Sequence, residues 1–407
     1  MEIGIELSRE GCDRATAYHM SNRVARHAAG LFVTWLDRRH RCILAQVDAG
    51  TGRVLQAYAI AQGVDNHCGG ALAVTPHGRL HAVCGAHGSG GFIHRWTDNP
   101  TDPASWSLPQ SVGVGATYPS LVAQADGSLV LAYRHTGVNA RWGVMLQRLE
   151  AGAHGWSMPL LLAQASADRY TFTTNSVALG PDGVVHLVVE YYKTFARETE
   201  PPKSQGVTHL YSANGMTGWH HDDGRVVSAT PLGIEDAAMI ERDPAGDLRP
   251  GNLCVTPDGD VVCAIRNARM GTLTLWQRGR GGEWRAADLT AAAVAERAGW
   301  QINSQGLVTL DPAGHVIVVT TVAPDPAWTS PAQNLVCMRL DAATLEILAV
   351  RHVPKADSQS ANWLASVEMV SGRRAGADPL LLYTEDNRGA DRVNEAQTTV
   401  RLLPLVF

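Results

Sequence analysis

Two histidines in the first quarter of the chain are the residues most able to do chemistry. His67 follows Asp65 and Asn66, and His87 lies one predicted hairpin downstream in a glycine-rich loop that runs to Gly91. A histidine in such a loop is exposed enough to exchange protons near neutral pH. A lone histidine is more often structural, so the feature that favours a reactive site is that both can point into one cleft.

Tyrosine and arginine side chains follow in the next repeats. Tyr133 and Arg134 end a predicted strand, and Arg148 interrupts the apolar strand after it. A guanidinium in an apolar strand must be paired with a carboxylate of the protein or of a ligand. Tyr191 opens a long polar loop, where a rim role and a functional role are about equally favoured. Together these residues offer proton transfer and a cation.

A repeated pattern has to position these groups: an apolar run, a turn built on glycine, and a second apolar run. The turn glycines step by 48 to 76 residues, the length of a small antiparallel sheet with its loops. A tryptophan follows the third predicted strand in four repeats and is expected to wedge neighbouring sheets together. We therefore predict an all-β fold, a seven-bladed β-propeller, formed by residues 1–407 as a single domain. The turn glycines are Gly30, Gly78, Gly127, Gly183, Gly259, Gly314 and Gly376.

The first strand of each propeller blade lines the central channel, so residues just ahead of it should ring one mouth. Those positions are mostly polar. Asparagine also caps strand entries, which explains roughly half of them. The predicted substrate-binding residues at or near this mouth are Asn66, Tyr118, Arg134, Asn175, Tyr191, Asn252 and Asn303.

Composition narrows the classes of partner. The chain has 407 residues, 45% hydrophobic, and a net charge of −5, which gives no attraction to nucleic acid or to an anionic membrane. Any anionic ligand must therefore be held by local arginines. The seven cysteines form no CxxC pair, so no redox motif or zinc ribbon is indicated.

Neither a membrane span nor an export signal is indicated. No run of 18 or more apolar residues occurs, and the first residues lack a basic segment followed by an apolar one. The chain is expected to be secreted or periplasmic if a signal was removed, and cytoplasmic otherwise. Two segments depart from the repeat: a charged loop over 191–206, and residues 289–300, where a short helix is predicted.

The motifs resemble a known family. The segment from Asp65 to Leu72, the segment from Gly78 to Gly88, Phe92 to Trp96, and the degenerate Asp-box from Ser212 to Trp219 look like those of BNR-repeat propellers among polysaccharide lyases, the ulvan lyases especially. The likeness covers about residues 60–320. It implies β-elimination next to a uronic acid, here glucuronate or iduronate. The acid is neutralised, its C5 proton is removed, and O4 leaves with a proton.

Transferred to this sequence, the resemblance implies catalytic roles for His67, His87, Tyr133 and Arg148. It leaves open which of the first three is base or acid, and Tyr118 could take the place of Tyr133. No cofactor is needed for the chemistry. A structural zinc or calcium ion is left open, with ligands drawn only loosely from His209, His220, His221, Cys254 and Cys263. The expected partner is an anionic polysaccharide, bound by a monomer.

Two other classes remain open. A sialidase-like hydrolase would share the propeller and the Asp-box, but it needs an arginine triad and a Tyr/Glu pair, and its usual entry motif is missing. A carbohydrate-binding propeller without catalysis is the second. Saturated products would indicate the hydrolase, and binding without turnover would indicate the second class.

Overall fold

The structure is a computed structural model that describes residues 3–137, 141–165, 175–193, 203–327, 329–356, 360–386 and 397–407. Most of the charged loop predicted over 191–206 lies outside these residues. The described residues form seven antiparallel sheets, each built around a hairpin that turns at one of the predicted glycines or, in the last sheet, in a longer connection that contains Gly376. The predicted β-propeller is therefore confirmed.

Strands β1 to β13 build the first three blades and one outer strand. Strand β1 is Ile5–Gly11. Blade 1 contains β2 Val24–His27, β3 Gly30–Leu36, β4 Arg41–Val47 and β5 Val54–Gln62. Blade 2 contains β6 Ala71–Val74, β7 Leu80–Cys84, β8 Phe92–Thr97 and β9 Gln110–Val112. Blade 3 contains β10 Ala116–Ala123, β11 Leu129–His135, β12 Gly143–Leu149 and β13 Leu160–Gln164.

Strands β14 to β30 build the other four. Blade 4 contains β14 Asn175–Leu179, β15 Val185–Lys193, β16 Lys203–Ser212, β17 His220–His221 and β18 Met239–Arg242. Blade 5 contains β19 Leu248–Val255, β20 Val261–Asn267, β21 Thr272–Arg278 and β22 Trp284–Asp288. Blade 6 contains β23 Gln301–Ile302, β24 Leu307–Leu310, β25 Val316–Ala323, β26 Asn334–Leu340 and β27 Ile347–His352. Blade 7 contains β28 Asn362–Val367, β29 Leu380–Glu385 and β30 Thr398–Pro404.

The first strand of the chain closes the ring. Strand β1 pairs antiparallel with β30, with Ile5 opposite Leu402 and Gly11 opposite Thr398, and so supplies the outer strand of blade 7. This pairing satisfies the open edge that three strands alone would leave.

The innermost strands line a channel, as predicted. They bound a central cavity of about 190 Å³. Hydrogen bonds link successive inner strands: Ser120 Oγ accepts from Val177 N at 3.0 Å, and Ser176 Oγ accepts from Leu253 N at 3.0 Å. The inner residues that line the cavity include Val24, Leu72, Leu121, Val177 and Leu253.

The predicted tryptophan wedges are confirmed in three blades by hydrogen bonds back to the preceding blade. Trp106 Nε1 donates to Tyr58 Oη at 2.7 Å, Trp156 Nε1 to His94 Nδ1 at 3.1 Å, and Trp284 Nε1 to Asp222 at 2.8 Å. Trp219 is buried in the cluster that joins blades 3 and 4. The first three indoles thus bury apolar area and also donate their one N–H to the neighbouring sheet, whereas Trp219 contributes by packing.

Helix is scarce in the described part of the chain. The helix predicted within 289–300 is present as α1, Thr290–Val294, and a single 3-10 turn spans Pro103–Ser105. None of the described helices is long and apolar enough to cross a membrane.

Irregular register at the entry of the inner strands shapes the mouth of the channel. Strand β10 shifts register between Thr117 and Ser120, and β28 shifts between Trp363 and Ser366. Within the first of these, Tyr118 has φ +58°, which is unusual for a residue with a side chain. Such a bulge turns a side chain away from the regular alternation of the strand.

Candidate functional site

Four segments meet at this mouth. They are the stretch from Cys12 to Asn22 ahead of β2, the stretch 63–70 ahead of β6, the loop 85–91 after β7, and the entry of β10. The loop holding His87 turns through Gly88 and Gly90, both with positive φ. Gly88 N donates to Thr117 Oγ1 at 2.8 Å, which fixes the loop to blade 3.

The two predicted histidines lie together, held by one carboxylate. The rings of His67 and His87 stack at 4.2 Å between centroids and 13° between planes. Asp65 Oδ2 accepts from His87 Nδ1 at 2.5 Å, and Asp65 Oδ1 accepts from His67 N at 2.8 Å. The side chains remain 22% and 26% exposed, respectively. A ligand in the mouth can therefore reach the pair.

Hydrogen-bond directions define what each imidazole offers. Arg14 Nη1 lies 2.9 Å from His67 Nε2, and because arginine can only donate, that nitrogen is an acceptor. The Nδ1 of His87 gives its proton to Asp65, and within the described residues its Nε2 has no hydrogen-bond partner. His87 thus presents a basic nitrogen backed by a carboxylate, the arrangement of an acid/base dyad.

The charges around the pair keep Asp65 ionised and His67 neutral. Burial by itself would raise the pKa of Asp65, but hydrogen bonds from His67 and His87 hold it far below its usual value. Burial lowers the pKa of His67, and the Arg14 charge lowers it further, against the opposing effect of Asp65.

Arg14 and Tyr18 complete the upper layer of the site. Arg14 Nη1 also donates to Tyr18 Oη at 2.9 Å, and its side chain is 21% exposed. Burial alone would lower the pKa of Arg14, but Tyr18 and Asp13 raise it, so the guanidinium stays charged. Burial raises the pKa of Tyr18 well above its usual value, and Tyr118 raises it further while Arg14 opposes the rise. The phenol is therefore protonated and able to donate.

A second layer lies beneath. Tyr118 stacks on Tyr18 with centroids 4.2 Å apart, and the Arg134 guanidinium lies 4.3 Å from the Tyr118 ring centroid. Arg134 also lies 4.8 Å from the Trp142 ring. Tyr118 and Arg134 are both almost fully buried. Cation–π contacts are strongest where the cation is desolvated, as here.

Asp65, His67 and His87 form the one group of three potential metal ligands within the described residues. A metal binds an imidazole nitrogen along its lone pair, in the ring plane, at about 2.0–2.1 Å for zinc. Two rings stacked 4.2 Å apart and nearly parallel direct their lone pairs along separate lines. One ion cannot lie in both planes, so this arrangement fits a hydrogen-bonded pair better than a metal centre.

The five residues considered as zinc ligands do not gather into such a group. Both nitrogens of His209 are engaged, by Asp222 at 2.5 Å and by His186 at 3.0 Å. Cys254 and Cys263 are fully buried thiols whose pKa values burial raises, which opposes the thiolate form that binds metal.

Within the described residues, neither Tyr133 nor Arg148 makes a hydrogen bond or ring contact with His67 or His87. Tyr133 points to the face of β11 opposite to Arg134, because neighbouring strand residues alternate. Its ring packs edge-on against Phe92, its hydroxyl donates to Gln147 at 3.2 Å, and burial raises its pKa to about 12.

Arg148 lies at the other end of blade 3, where it is opposite Val130 in the register, whereas the mouth is at the end where His135 pairs with Ala116 and Gly143. Its guanidinium bonds Asp126 at 3.0 Å and Glu150 at 2.9 Å, as well as Gln124. The pairing predicted for this arginine is thus met by carboxylates of the protein itself.

The remaining predicted binding residues hold the scaffold. Tyr191 is buried and donates to Leu232 O at 3.1 Å. Asn252 bonds both the N and O of Val308, at 2.9 and 2.7 Å, and so joins blades 5 and 6. Asn303 Nδ2 donates to Ala327 O at 2.9 Å and lines a cavity that Tyr18 also lines.

Two of the predicted asparagines support the site from behind. Asn66 Nδ2 donates to Asp13 Oδ1 at 2.8 Å, next to Arg14. With its amide oriented to satisfy its neighbours, Asn175 donates to Ala132 O at 3.2 Å and accepts from Arg134 N at 3.1 Å. It thereby fixes the backbone that carries Arg134.

Asp65, Arg14 and Tyr18 were missed as site residues by sequence reasoning. Asp65 is two residues from His67, so its type and spacing were a usable signal. Arg14 and Tyr18 lie ahead of β2 as His67 lies ahead of β6, and reading the same mouth position in the first blade would have found them.

Part of the sequence is similar to that of curated proteins. Over 156 residues the chain is 37% identical to the lipoprotein LpqB of Rhodococcus jostii (strain RHA1) and of Rhodococcus opacus (strain B4). That match covers 36% of this chain and 24% of each relative, so the chain spans about a quarter of the length of these curated relatives.

Solved structures agree with the fold over nearly the whole chain. A PL25 ulvan lyase, from a new family of polysaccharide lyase, aligns with a TM-score of 0.74 and 13% identity, covering 99% of this chain and 96% of that one. A PL25 ulvan lyase bound to -[GlcA(1-4)Rha3S]- gives 0.73 at 14% identity, with the same coverage. Polysaccharide lyase Uly1 gives 0.64 at 13% identity, with both chains covered completely.

The family assignment comes from the sequence itself. The profile of the BNR repeat-containing family matches residues 31–292, more than half of the chain, and this range includes His67, His87, Tyr118 and Arg134. The chain therefore belongs to the BNR repeat-containing family.

Proposed function

We propose that this protein is a polysaccharide lyase that cleaves a uronic-acid-containing chain by β-elimination. The observation that carries the proposal is the His87–Asp65 dyad, with its basic nitrogen open to the mouth, beside the Arg14 guanidinium. The likeness to ulvan lyases supports the class of reaction, and the dyad supports the chemistry.

Arg14 is proposed to neutralise the uronate carboxylate. It is partly exposed, whereas Arg134 is buried beneath Tyr118. A cation at the carboxylate stabilises the enolate-like charge that develops when the C5 proton leaves. Arg14 replaces Arg148 in this role, since the latter is paired at the other end of its blade.

His87 is proposed to take the C5 proton at Nε2, and Asp65 to hold its tautomer and stabilise the imidazolium that forms. The C4–O4 bond then breaks, the C4–C5 double bond forms, and the departing O4 takes a proton from the Tyr18 hydroxyl. Tyr18 suits the acid role because its raised pKa keeps it protonated. Water is not consumed, and the products carry an unsaturated uronyl end.

The partner we infer is an anionic polysaccharide containing glucuronate or iduronate. We further propose that residues 1–407 act as one domain and as a monomer, with the glycan lying across the mouth. A polymer of this kind is met outside the cytoplasm, which favours a secreted or periplasmic enzyme.

The deciding experiment follows the ultraviolet absorbance of the unsaturated uronyl product across a panel of uronic polysaccharides, ulvan included. We expect a rise with at least one polymer and none with its carboxyl-reduced form. Saturated reducing ends without that absorbance would indicate a hydrolase instead. Glycan binding without any product would indicate a binding propeller, and either result would overturn the proposal.

A further inference from the structure

A second cavity lies between blades 2 and 3, at the hairpin ends of the strands and so at the end of the blade opposite the candidate site. It has a volume of about 210 Å³. Its walls include His81 and Trp96 from blade 2, and the turn at Glu150–Ala153 of blade 3. None of its lining residues takes part in the proposed reaction.

The tautomer of His81 in this wall is fixed from inside the protein. Trp156 Nε1 can only donate, so His94 Nδ1 is an acceptor, with 3.1 Å between them. Burial lowers the pKa of His94 to about 4, so the ring is neutral and carries its proton on Nε2. That proton is donated to His81 Nδ1, 3.0 Å away.

His81 must therefore carry its own proton on Nε2. Burial lowers its pKa to about 3, with the charges of His94 and Arg79 lowering it further and that of Asp98 opposing them, so it too is neutral. Within the described residues, His81 Nε2 makes no hydrogen bond. The relay from Trp156 thus leaves one N–H of fixed direction on a ring that lines the cavity.

The charges around the cavity are balanced by pairs within the protein. Arg79 binds Asp98 through two hydrogen bonds of 2.8 Å, and Glu150 accepts from Arg148 at 2.9 Å. The arginine that lines the cavity is therefore already matched by a carboxylate. It offers one fixed N–H donor, the paired carboxylate and guanidinium groups of Asp98 and Arg79, and the apolar surface of an indole ring. A few placed polar groups on an apolar wall are what orients a small ligand in a binding site.

We propose that this cavity is a second binding site, which takes one neutral sugar unit and anchors a hydroxyl or ring oxygen on the N–H of His81 Nε2. Hydroxyl groups both donate and accept, so they match the His81 donor and the Asp98 acceptor together. The indole of Trp96, 6.4 Å from the His81 ring centroid, supplies apolar surface for a pyranose face.

The test is a titration followed by the ¹⁵N signals of the histidine side chains, with methyl α-D-glucopyranoside, methyl α-L-rhamnopyranoside and methyl β-D-xylopyranoside as probes. We expect at least one to shift the His81 Nε2 signal saturably at millimolar concentration, and sodium sulfate and sodium glucuronate to leave it unmoved. An anion that shifts it, or no response to any neutral glycoside, would overturn the proposal.

The cavity can also be blocked without touching its buried imidazoles. Ala151 is exposed in the turn that forms one wall, so Ala151→Trp should fill the cavity and abolish the titration while the fold persists. Ala343→Trp, at an exposed alanine in the corresponding turn of blade 6, is the matched control and should titrate as the wild type does. Unchanged binding in Ala151→Trp would refute the site.

Discussion

Blade 2 carries two stacked imidazole pairs, one at the channel mouth and one inside the sheet. His67 and His87 stack at 4.2 Å around the Asp65 carboxylate and stay partly exposed. His81 and His94 stack at 5.3 Å, are almost fully buried, and meet the indole N–H of Trp156. The hydrogen-bond partner of each pair decides what the pair presents to a ligand. The Asp65 carboxylate leaves His87 with an unprotonated nitrogen facing outward, whereas the Trp156 donor leaves His81 with an N–H.

A third stacked histidine pair, in blade 4, follows the same rule, but its partner is a carboxylate and the direction of hydrogen-bond donation between the two rings is reversed. His186 and His209 stack at 5.2 Å, but here Asp222 takes the Nδ1 proton of His209. In its neutral form His209 accepts from His186 at Nε2, so the direction of the relay is reversed relative to blade 2. Stacking geometry alone therefore does not tell which edge of an imidazole is acidic or basic.

The strongest test of the contrast removes one imidazole from each blade 2 pair. His87→Gln should lower turnover by about 10²- to 10⁴-fold because the proton acceptor is lost. His81→Gln should leave turnover within a few-fold. Both are measured by product absorbance under conditions where circular dichroism shows folded protein. Equal losses in both variants would remove the distinction between a reactive and a structural pair.

The next largest effect concerns the carboxylate. Asp65→Asn should lower turnover about 100-fold, because an amide neither fixes the His87 tautomer nor stabilises its cation. The pH profile should change as well, since the carboxylate that bonds His87 Nδ1 is gone. Asp258→Asn, at an exposed turn residue of blade 5, is the control for the loss of one carboxylate elsewhere. A profile unchanged in Asp65→Asn would argue against the dyad.

The free energy of unfolding at acid pH should report on the buried pair, His81 and His94. The folded pKa values of about 3 for His81 and about 4 for His94 lie below the unfolded value of about 6.5. The unfolded chain therefore binds more protons, and stability falls as pH drops below 6.5. Each residue contributes a slope of about 1.4 kcal/mol per pH unit down to its folded pKa.

This slope is checked by urea unfolding at several pH values between 4 and 7, a range set by those pKa values. Replacing His94 by Gln, which does not titrate, should flatten the dependence, whatever it does to the absolute stability. A wild-type free energy of unfolding that stays level over this range would contradict a buried neutral pair.

The smallest effect is expected at the indole. Trp156→Phe removes one hydrogen bond to His94 and should lower the free energy of unfolding by about 1 kcal/mol beyond the loss of packing. It should also release the tautomer of His94, visible in its ¹⁵N shifts. Trp106→Phe loses an indole bond to Tyr58 and serves as control, with both His94 nitrogens unchanged. A His94 signal that stays fixed in Trp156→Phe would show that something else orients the ring.

The architecture was predictable because short sequence patterns within each blade specify it. Each hairpin needs a turn residue that tolerates positive φ, and glycines such as Gly127 and Gly183 mark it between two apolar runs. The tryptophan after the third strand likewise signals contact with the preceding sheet, as Trp156 confirms. His67 and His87 were predicted together because one hairpin connects them.

The rest of the site depends on contacts that periodicity does not encode. Tyr133 and Arg134 are neighbours on one strand, and only the register of β11 determines which faces Tyr118. Arg148 was expected to need a carboxylate, and the fold supplies Asp126 and Glu150. Arg14 comes from a segment more than fifty residues ahead of His67, so its approach is a property of the closed ring.

That closure links folding to the proposed activity. The strand that completes blade 7 leads within three residues to Arg14 and within seven to Tyr18. In a chain whose β1 has not yet paired with β30, Arg14 and Tyr18 would not be held in place, even if blades 2 and 3 had already formed. The proposed activity would then appear only after β30 has been synthesised and has paired with β1, and a break in that pairing would abolish it.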